Sequence, residues 1–221
     1  MREFKTVSLA DQVFEKLEND IITGVYPRGE ILTELKLVEQ LGVSRTPIRE
    51  ALRRLEQERL IRESGKGSVV LGITLDDLMD IMDIRQNVEG LATYYATQNI
   101  TAEGLQELNH IVQLQEYYSA LGDLEHVRQL DDRFHDTIYE LSGRTVIRDT
   151  LMPLHRKTMR YRKLSIEDEE RLAFSIQEHK AIYEAIAAGA AQTAEKLTGQ
   201  HIRNAKDNMI ARLHYHGNDN C

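Results

Sequence analysis

The sequence predicts a mainly α-helical protein in two parts, an N-terminal winged helix-turn-helix domain and a C-terminal all-α bundle of six or seven helices. Two observations favour helices: the 221 residues include only 3 Pro and 13 Gly, and apolar residues recur at helical spacing along most of the chain. Strand-like patterning is confined to a short glycine-containing stretch near residue 65. This change of pattern predicts a boundary between domains 1–73 and 74–221.

Three helices are predicted in the N-terminal domain, each introduced by a residue suited to the N-cap. Ser8 precedes the first helix, Thr33 precedes the segment ELKLVEQL, and Ser44 precedes a third helix over residues 44–58. Gly42 ends the second helix, so only a tight turn separates it from the third. This spacing is typical of a helix-turn-helix.

The stretch LIRESGKGSVVL, residues 60–71, has two short apolar runs around a polar, glycine-rich centre. This pattern predicts a β-hairpin, which would form a wing beside the third helix. Lys66 stands at the tip between Gly65 and Gly67, where its side chain can enter a minor groove.

Positive charge is concentrated in the predicted DNA-binding element, although the net charge of the chain is −8. Residues 1–73 carry 12 Lys and Arg against 12 Asp and Glu, and seven of these cations lie within residues 44–66. This distribution predicts DNA contact at the third helix and the wing. The alternative is a solvated charged face, in which acids four residues away offset the arginines.

Arg45 and Arg49 lie one turn apart at the start of the third helix, where they can face phosphates or a guanine edge. We expect Arg45 and Thr46 to contact base edges. Arg53 or Arg54, further along the helix, is expected to contact phosphates.

The single cysteine, Cys221, excludes an intrachain disulfide framework and fits a reducing cytoplasm. The N-terminal segment is amphipathic and contains acids, unlike a signal peptide. No stretch approaches the roughly 18 apolar residues of a membrane-spanning helix. The sequence therefore predicts a cytoplasmic protein that is neither secreted nor embedded in a membrane.

Four side chains of the C-terminal domain are candidates for a metal site. Asp131 and His135 lie four residues apart and share one helical face. His179 and His201, on two later helices, have apolar neighbours at core spacing and are expected to point inward. One carboxylate and three imidazoles suit Zn²⁺, Ni²⁺ or Mn²⁺ with positions left for a ligand. The alternative is that these are ordinary core histidines. His110, His126 and His155 have no partner at ligand spacing, and His214 and His216 lie in a C-terminal segment that is expected to be frayed.

The segment LGVSRTPIREALRRLEQERLI, with IITGVYPRGEIL before it and GKGSVV after it, resembles the GntR family of winged-helix repressors. The resemblance implies a homodimer that binds a short palindromic operator in double-stranded DNA. It also implies DNA contacts at Arg45, Thr46, Arg49 and Gly67. Many relatives carry Arg at the position of Leu35, so this chain departs from the family pattern there.

The C-terminal domain resembles the FadR-type, or FCD, domain of the same family. The resemblance rests on RQNVEGLAT, DDRFHDTIYELSG, EHKAIYEAIAAG and the later helix that contains His201. It implies that a divalent metal is bound by four ligands, which are Asp131, His135, His179 and His201.

Arg85 and Glu89 match a motif of that family on the first helix of the bundle. Their i,i+4 spacing alone indicates a salt bridge. If Arg85 instead faces the pocket, its guanidinium can hold a carboxylate while the metal binds another oxygen of the same ligand. The resemblance thus implies a small carboxylate effector, with Asn204 as a further candidate contact.

Together these patterns predict a DNA-binding regulator, in the simplest case a repressor, whose operator affinity is modulated by an organic acid at the metal site. Two alternatives stay open: a regulator that responds to metal alone, and a metalloenzyme with a DNA-binding appendage. The enzyme would use Glu178 as general base beside His179. Adjacent helix positions point about 100° apart, and the chain contains no HExxH motif, so the residues do not favour an enzyme.

Overall fold

The computed structural model describes residues 8–159, 161 and 169–217. The chain divides into two compact units, Met1–Leu75 and Asp76–Cys221. Most of the described secondary structure is helical, and the fold class predicted from the sequence is confirmed. Within the described residues, no helix has both the length and the apolar character needed to cross a membrane.

The N-terminal unit contains helices and a small antiparallel sheet. Its helices and strands are α1 (Leu9–Ile22), β1 (Ile31–Leu32), α2 (Glu34–Leu41), α3 (Arg45–Gln57), β2 (Ile61–Ser64) and β3 (Gly67–Val70). The strands pair in the order β1-β3-β2, and Ser64 lies opposite Gly67 where the hairpin turns. The helix-turn-helix and the wing are both present.

The first two helices of this unit have the predicted caps. Ser8 Oγ accepts a hydrogen bond from the backbone N–H of Asp11 at 3.1 Å, and the Asp11 carboxylate accepts from the Ser8 N–H, which completes a capping box. Thr33 Oγ1 caps α2, and Gly42 ends it in the left-handed conformation with a φ of 65°.

Ser44 is the N-cap of α3, as predicted, and has the extended backbone of that position, but its hydroxyl makes no capping hydrogen bond. An N-cap oxygen accepts from the backbone N–H of the second or third helical residue. The third residue of α3 is Pro47, which has no N–H to donate.

The core of the N-terminal unit joins α1, α3 and the sheet. It is built from side chains that include Leu17, Ile48, Leu55, Leu60 and Val70. The guanidinium of Arg54 lies 3.9 Å from the centre of the Phe14 ring, and its Nη1 lies 2.6 Å from Oδ1 of Asp11, so it holds α3 against α1. Arg54 is therefore engaged within the domain, which favours Arg53 as the candidate for a phosphate contact.

The C-terminal unit is an all-helical bundle. Its described helices are α4 (Leu75–Asn99), α5 (Ala102–Ala120), α6 (Leu124–Leu141), α7 (Thr145–Lys157), α8 (Glu169–Ala187) and α9 (Ala191–Gly217). The core combines side chains from several of these helices, including Ala96, Ile111, Phe134, Ile182 and Ala194. α7 ends at Lys157, and α8 begins at Glu169.

Gly67 is required by the close approach of β1 to β3. Its φ is 131°, a conformation that residues with a side chain rarely adopt. A Cβ at this position would lie 2.6 Å from the carbonyl oxygen of Leu32. A Cβ at Gly65, in the same turn, would meet nothing within 4 Å.

Gly67→Ala is expected to lower the free energy of unfolding of the N-terminal unit by about 2 kcal/mol or more, because the alanine is strained and displaces β1. Urea denaturation of the full chain, followed by circular dichroism, measures the change. Gly65→Ala is the matched control, with an expected change below about 1 kcal/mol. Equal losses in the two variants would contradict the steric explanation.

Candidate functional site

The side chains predicted to contact DNA are accessible on the N-terminal unit. Arg45, Thr46 and Arg49 are exposed on the first two turns of α3, and Lys66 is exposed in the turn between β2 and β3. The opposite face of α3 is buried and carries Pro47, Ile48, Ala51, Leu52 and Leu55. The helix therefore uses one face for the core and presents its cations on the other.

Arg49 is held by an acid of the preceding helix. Its Nε donates to Oε1 of Glu34, the first residue of α2, at 2.7 Å, and this hydrogen bond lowers the pKa of Glu34. The Arg49 side chain is still 63% exposed. A cleft between α3 and the wing is lined by residues that include Arg49, Arg53, Ser64 and Gly67. Arg49 is therefore placed beside the wing, with a carboxylate already bound to it.

The three predicted histidine ligands come together inside the C-terminal unit, and Asp131 lies beside one of them. His135 is on α6, His179 on α8 and His201 on α9, and all three rings are buried. One ring nitrogen of each lies within 4.8 Å of one nitrogen of the other two. Asp131, one turn before His135, places Oδ1 3.6 Å from Nε2 of His179.

Each of the three histidine rings is oriented by a side-chain oxygen that lies near its Nδ1. The distances from oxygen to Nδ1 are 2.9 Å for Glu89 and His135, 3.0 Å for Gln115 and His179, and 2.7 Å for Glu178 and His201. Because these oxygens accept, Nδ1 carries the proton and Nε2 is the atom that would hold a metal. Burial lowers the pKa of His201 well below its usual range. This ring is therefore neutral, which is the form that binds metals.

The spacing of the nitrogens tests whether a metal fits. The Nε2 atoms of His179 and His201 lie 3.3 Å apart. With both Nδ1 atoms donating outward, each Nε2 presents a lone pair to the other, and the two lone pairs repel. A divalent cation held by both removes this repulsion, and Asp131 adds a carboxylate oxygen. The donor set fits a divalent metal.

A cavity lies beside the converging histidines and opens to solvent. Its empty volume, mouth included, is about 530 Å³. Besides Asp131 and the three histidines, its polar lining includes Arg85, Gln115 and Arg171. Apolar lining residues include Val127, Leu172, Ile176, Ile202 and Met209. A small molecule with both polar and apolar parts would suit this lining.

Arg85 and Glu89 form a buried ion pair on α4. Arg85 Nε donates to Glu89 Oε1 at 2.5 Å, and its Nη1 donates to Oγ1 of Thr158 at 2.9 Å. Burial raises the pKa of Glu89, but the charges of Arg85 and His135 outweigh burial and hold that pKa well below its usual range. The i,i+4 salt bridge is therefore present, and Arg85 also lines the cavity.

A second ion pair supports His201. Arg171 Nη1 donates to Glu178 Oε2 at 2.9 Å, and Asn204 Nδ2 donates to Oε1 of the same carboxylate at 2.5 Å. Gln200 in turn donates to Asn204 Oδ1 at 2.7 Å. Asn204 is absent from the described residues that line the cavity, and its side-chain amide is bound to Glu178.

Sequence reasoning missed the partners of the histidine rings and the place of His155. His155 on α7 is buried, with its ring centre 5.1 Å from that of His135 and its Nδ1 3.2 Å from Oδ1 of Asp136. Burial lowers the pKa of His155 to about 4. His155 lies one helical turn after the apolar Leu151, and this spacing indicates that the His155 side chain is buried. Nothing in the sequence marks Gln115.

Two family models match the chain. The model described as bacterial regulatory proteins, gntR family, matches residues 9–70, and the model of the FCD domain matches residues 80–204. The chain belongs to the GntR family. The winged unit is the family's DNA-binding domain, and the helical unit is an FCD domain.

Bacterial regulators are similar to this GntR chain along most of its length. The HTH-type transcriptional regulator YdhC of Bacillus subtilis (strain 168) is 28% identical over 196 residues, which cover 86% of this chain and 84% of the relative. The HTH-type transcriptional repressor RspR of Escherichia coli (strain K12) is 24% identical over 205 residues, which cover 92% of this chain and 90% of the relative.

A solved structure shows the same fold. E. coli McbR/YncC has a TM-score of 0.78 at 23% identity, and the match covers 96% of this chain and 100% of that chain. The matched family and relatives are transcriptional regulators and not enzymes. The comparisons therefore confirm that this GntR chain is a DNA-binding transcriptional regulator and do not support a metalloenzyme.

In this GntR regulator, Glu89→Gln is expected to lower the free energy of unfolding by about 3 kcal/mol or more, because the buried charge of Arg85 loses its counter-charge. Urea denaturation of the full chain measures the loss. The control is Glu107→Gln, which removes the partner of Arg133 in an exposed ion pair and should cost less than about 1 kcal/mol. Comparable losses would show that Glu89 contributes no more than a surface charge.

Proposed function

We propose that this chain is a repressor that binds operator DNA as a homodimer, and that a small organic acid bound with a divalent metal in the FCD domain controls its DNA affinity. The observation that carries the proposal is the convergence of three histidine rings and Asp131 beside a cavity that Arg85 lines. The description of RspR as a repressor supports the direction of regulation.

On the DNA side, the first turns of α3 enter the major groove. Arg45 and Thr46, exposed at the start of the helix, contact base edges, and Arg49 contacts a guanine edge or a phosphate. Lys66 and the adjacent Gly67 bring the wing to the neighbouring minor groove. In a homodimer the two recognition helices lie about 34–36 Å apart, so the operator is palindromic with half-sites one turn apart.

Arg45→Ala and Arg49→Ala are each expected to weaken operator binding about tenfold or more, because each removes a charged fork from the groove. Fluorescence anisotropy with the DNA upstream of the protein's own gene measures the affinity. Arg133→Ala, which removes an exposed arginine of the FCD domain, is the control and should leave affinity within about twofold. Full operator binding by both α3 variants would contradict the assignment of this helix.

In the FCD domain, Asp131, His135, His179 and His201 would hold the metal, with Zn²⁺, Ni²⁺ and Mn²⁺ as the candidates for this donor set. The bound ion supplies a Lewis-acidic centre for a carboxylate oxygen. Arg85 faces the same cavity, and its hydrogen bonds to Glu89 and Thr158 use Nε and Nη1. Its Nη2 would donate to a second oxygen of the acid.

The helices around the cavity carry the signal. The metal ligands lie on α6, α8 and α9, and Arg85 lies on α4, so a ligand that contacts all of them changes how these helices pack. We take the dimer to have two arrangements that differ in DNA affinity. The ligand can change DNA affinity only to the extent that it binds one of these arrangements more tightly than the other. Asn204 and Glu178 act behind His201 in this scheme.

Protein stripped of metal is expected to bind one divalent ion per chain in calorimetric titrations with Zn²⁺, Ni²⁺ and Mn²⁺. Asp131→Asn and His179→Ala should each weaken this binding at least about tenfold, since even partners of metal ligands contribute that much. His110→Ala, which changes an exposed histidine of α5, is the control. Unchanged binding in both ligand variants would show that the metal is held elsewhere.

Operator affinity separates a regulator that responds to an acid from one that responds to metal alone. It is measured with stripped protein, with metal-loaded protein and after addition of carboxylic acids. A fall in affinity that requires an acid supports the proposed function. A change caused by metal alone supports the metal-responsive regulator. Affinity that is the same under all three conditions contradicts both.

A further inference from the structure

Gln115 is a buried residue of the cavity with one half of its amide unused. It lies within α5, is 0% exposed and lines the cavity. Its Oε1 lies 3.0 Å from Nδ1 of His179. Its Nε2 has no hydrogen-bond partner among the described residues, although buried polar atoms are nearly always satisfied. This donor therefore needs a partner that the described residues do not supply.

The orientation of this amide is tied to the metal site. Nε2 of His179 lies next to Nε2 of His201 and Oδ1 of Asp131. When that nitrogen binds a metal, the proton of the neutral ring is at Nδ1, and only an acceptor can face it. The oxygen of Gln115 must then face His179, so the NH₂ group faces away from the ring.

We infer that the Nε2 group of Gln115 donates a hydrogen bond to the effector, and that the effector is a small carboxylic acid with an additional oxygen, such as a hydroxyl. The inference rests on the proposed function and deepens it. One imidazole ring separates this amide from the metal position, so the additional oxygen would lie on the Gln115 side of the cavity and not among the ligands of the metal. Gln115 is thus a specificity-determining residue.

The other hydrogen-bond donors of the cavity differ from Gln115 because they are charged and are already bound to carboxylates. Arg85 is bound to Glu89, and Arg171 is bound to Glu178. These cations attract any anion, whereas a neutral NH₂ group distinguishes acids by their shape and by whether they offer it an oxygen within hydrogen-bond distance. A buried donor left without a partner disfavours the acid that lacks this oxygen.

The test uses metal-loaded full-length protein and three pairs of acids that differ by one hydroxyl group: acetate and glycolate, propionate and L-lactate, succinate and L-malate. Calorimetry gives the affinity for each acid. In the wild type, the hydroxy acid of at least one pair should bind more tightly than its partner. Gln115→Met and Gln115→Glu should each reduce that preference about tenfold, which corresponds to the loss of one neutral hydrogen bond.

The two variants separate recognition from metal binding. Gln115→Glu keeps an oxygen for Nδ1 of His179 and replaces the donor by an acceptor, so metal binding is expected to persist. Gln115→Met removes both the oxygen and the NH₂ group of the amide. Any preference for the hydroxy acid that comes from chelation of the metal by the hydroxyl group is kept in this variant. Gln113→Met, at an exposed position of the same helix, is the control and should match the wild type in every measurement.

The possible outcomes distinguish the proposed function from the inference about Gln115. A wild type that binds metal but none of the six acids contradicts the proposed function and this inference together. A wild type that binds acids without preference, or variants that bind metal and keep the full preference, contradict the inference alone. Loss of preference in Gln115→Glu with metal binding retained supports it.

Discussion

The helical unit depends on the compensation of charge in its interior. Arg85 and Glu89 are almost fully removed from solvent, and either one alone would carry a large desolvation cost. As a pair they begin a chain of contacts, in which the arginine holds the glutamate and the glutamate holds His135. The same order recurs on α8 and α9 with Arg171, Glu178 and His201. The directions of these rings are therefore set by the protein before any ligand arrives.

The distribution of charge separates two kinds of binding along the chain. In the winged domain, acids and bases balance and the cations gather on α3 and the wing, whereas the FCD domain carries the whole excess of acid. An acidic domain is repelled by DNA phosphates, so the winged domain is the part that gains from contact with DNA. Inside the FCD domain the charges are compensated, because Arg85 and Arg171, which line the cavity beside Asp131, are each paired with a glutamate. The cavity lining therefore offers a ligand cations whose charges are already partly balanced.

Local features were predictable from the sequence because they depend on neighbouring residues. The cap at Ser8 follows from the residues beside it, and at Ser44 another local rule applies, since Pro47 lacks one of the two N–H groups that a side-chain cap can use. The ligand set was proposed from spacing and family resemblance. Gln115 could not be found in this way, since it lies 64 residues from His179 and meets it only through the packing of α5 on α8. Side-chain partners on different helices are set by tertiary packing, which periodicity does not encode.

The pairing of Arg49 with Glu34 neutralises part of the recognition helix before DNA is present. A cation that is already paired adds little to the release of counterions that drives sequence-independent binding. Guanine offers the same arginine two acceptors in a fixed geometry, which a phosphate backbone does not. If Arg49 contacts guanine in the proposed complex, the short helix α2 would compete with random DNA for this side chain more effectively than with an operator, and the carboxylate of Glu34 would improve discrimination by lowering background affinity.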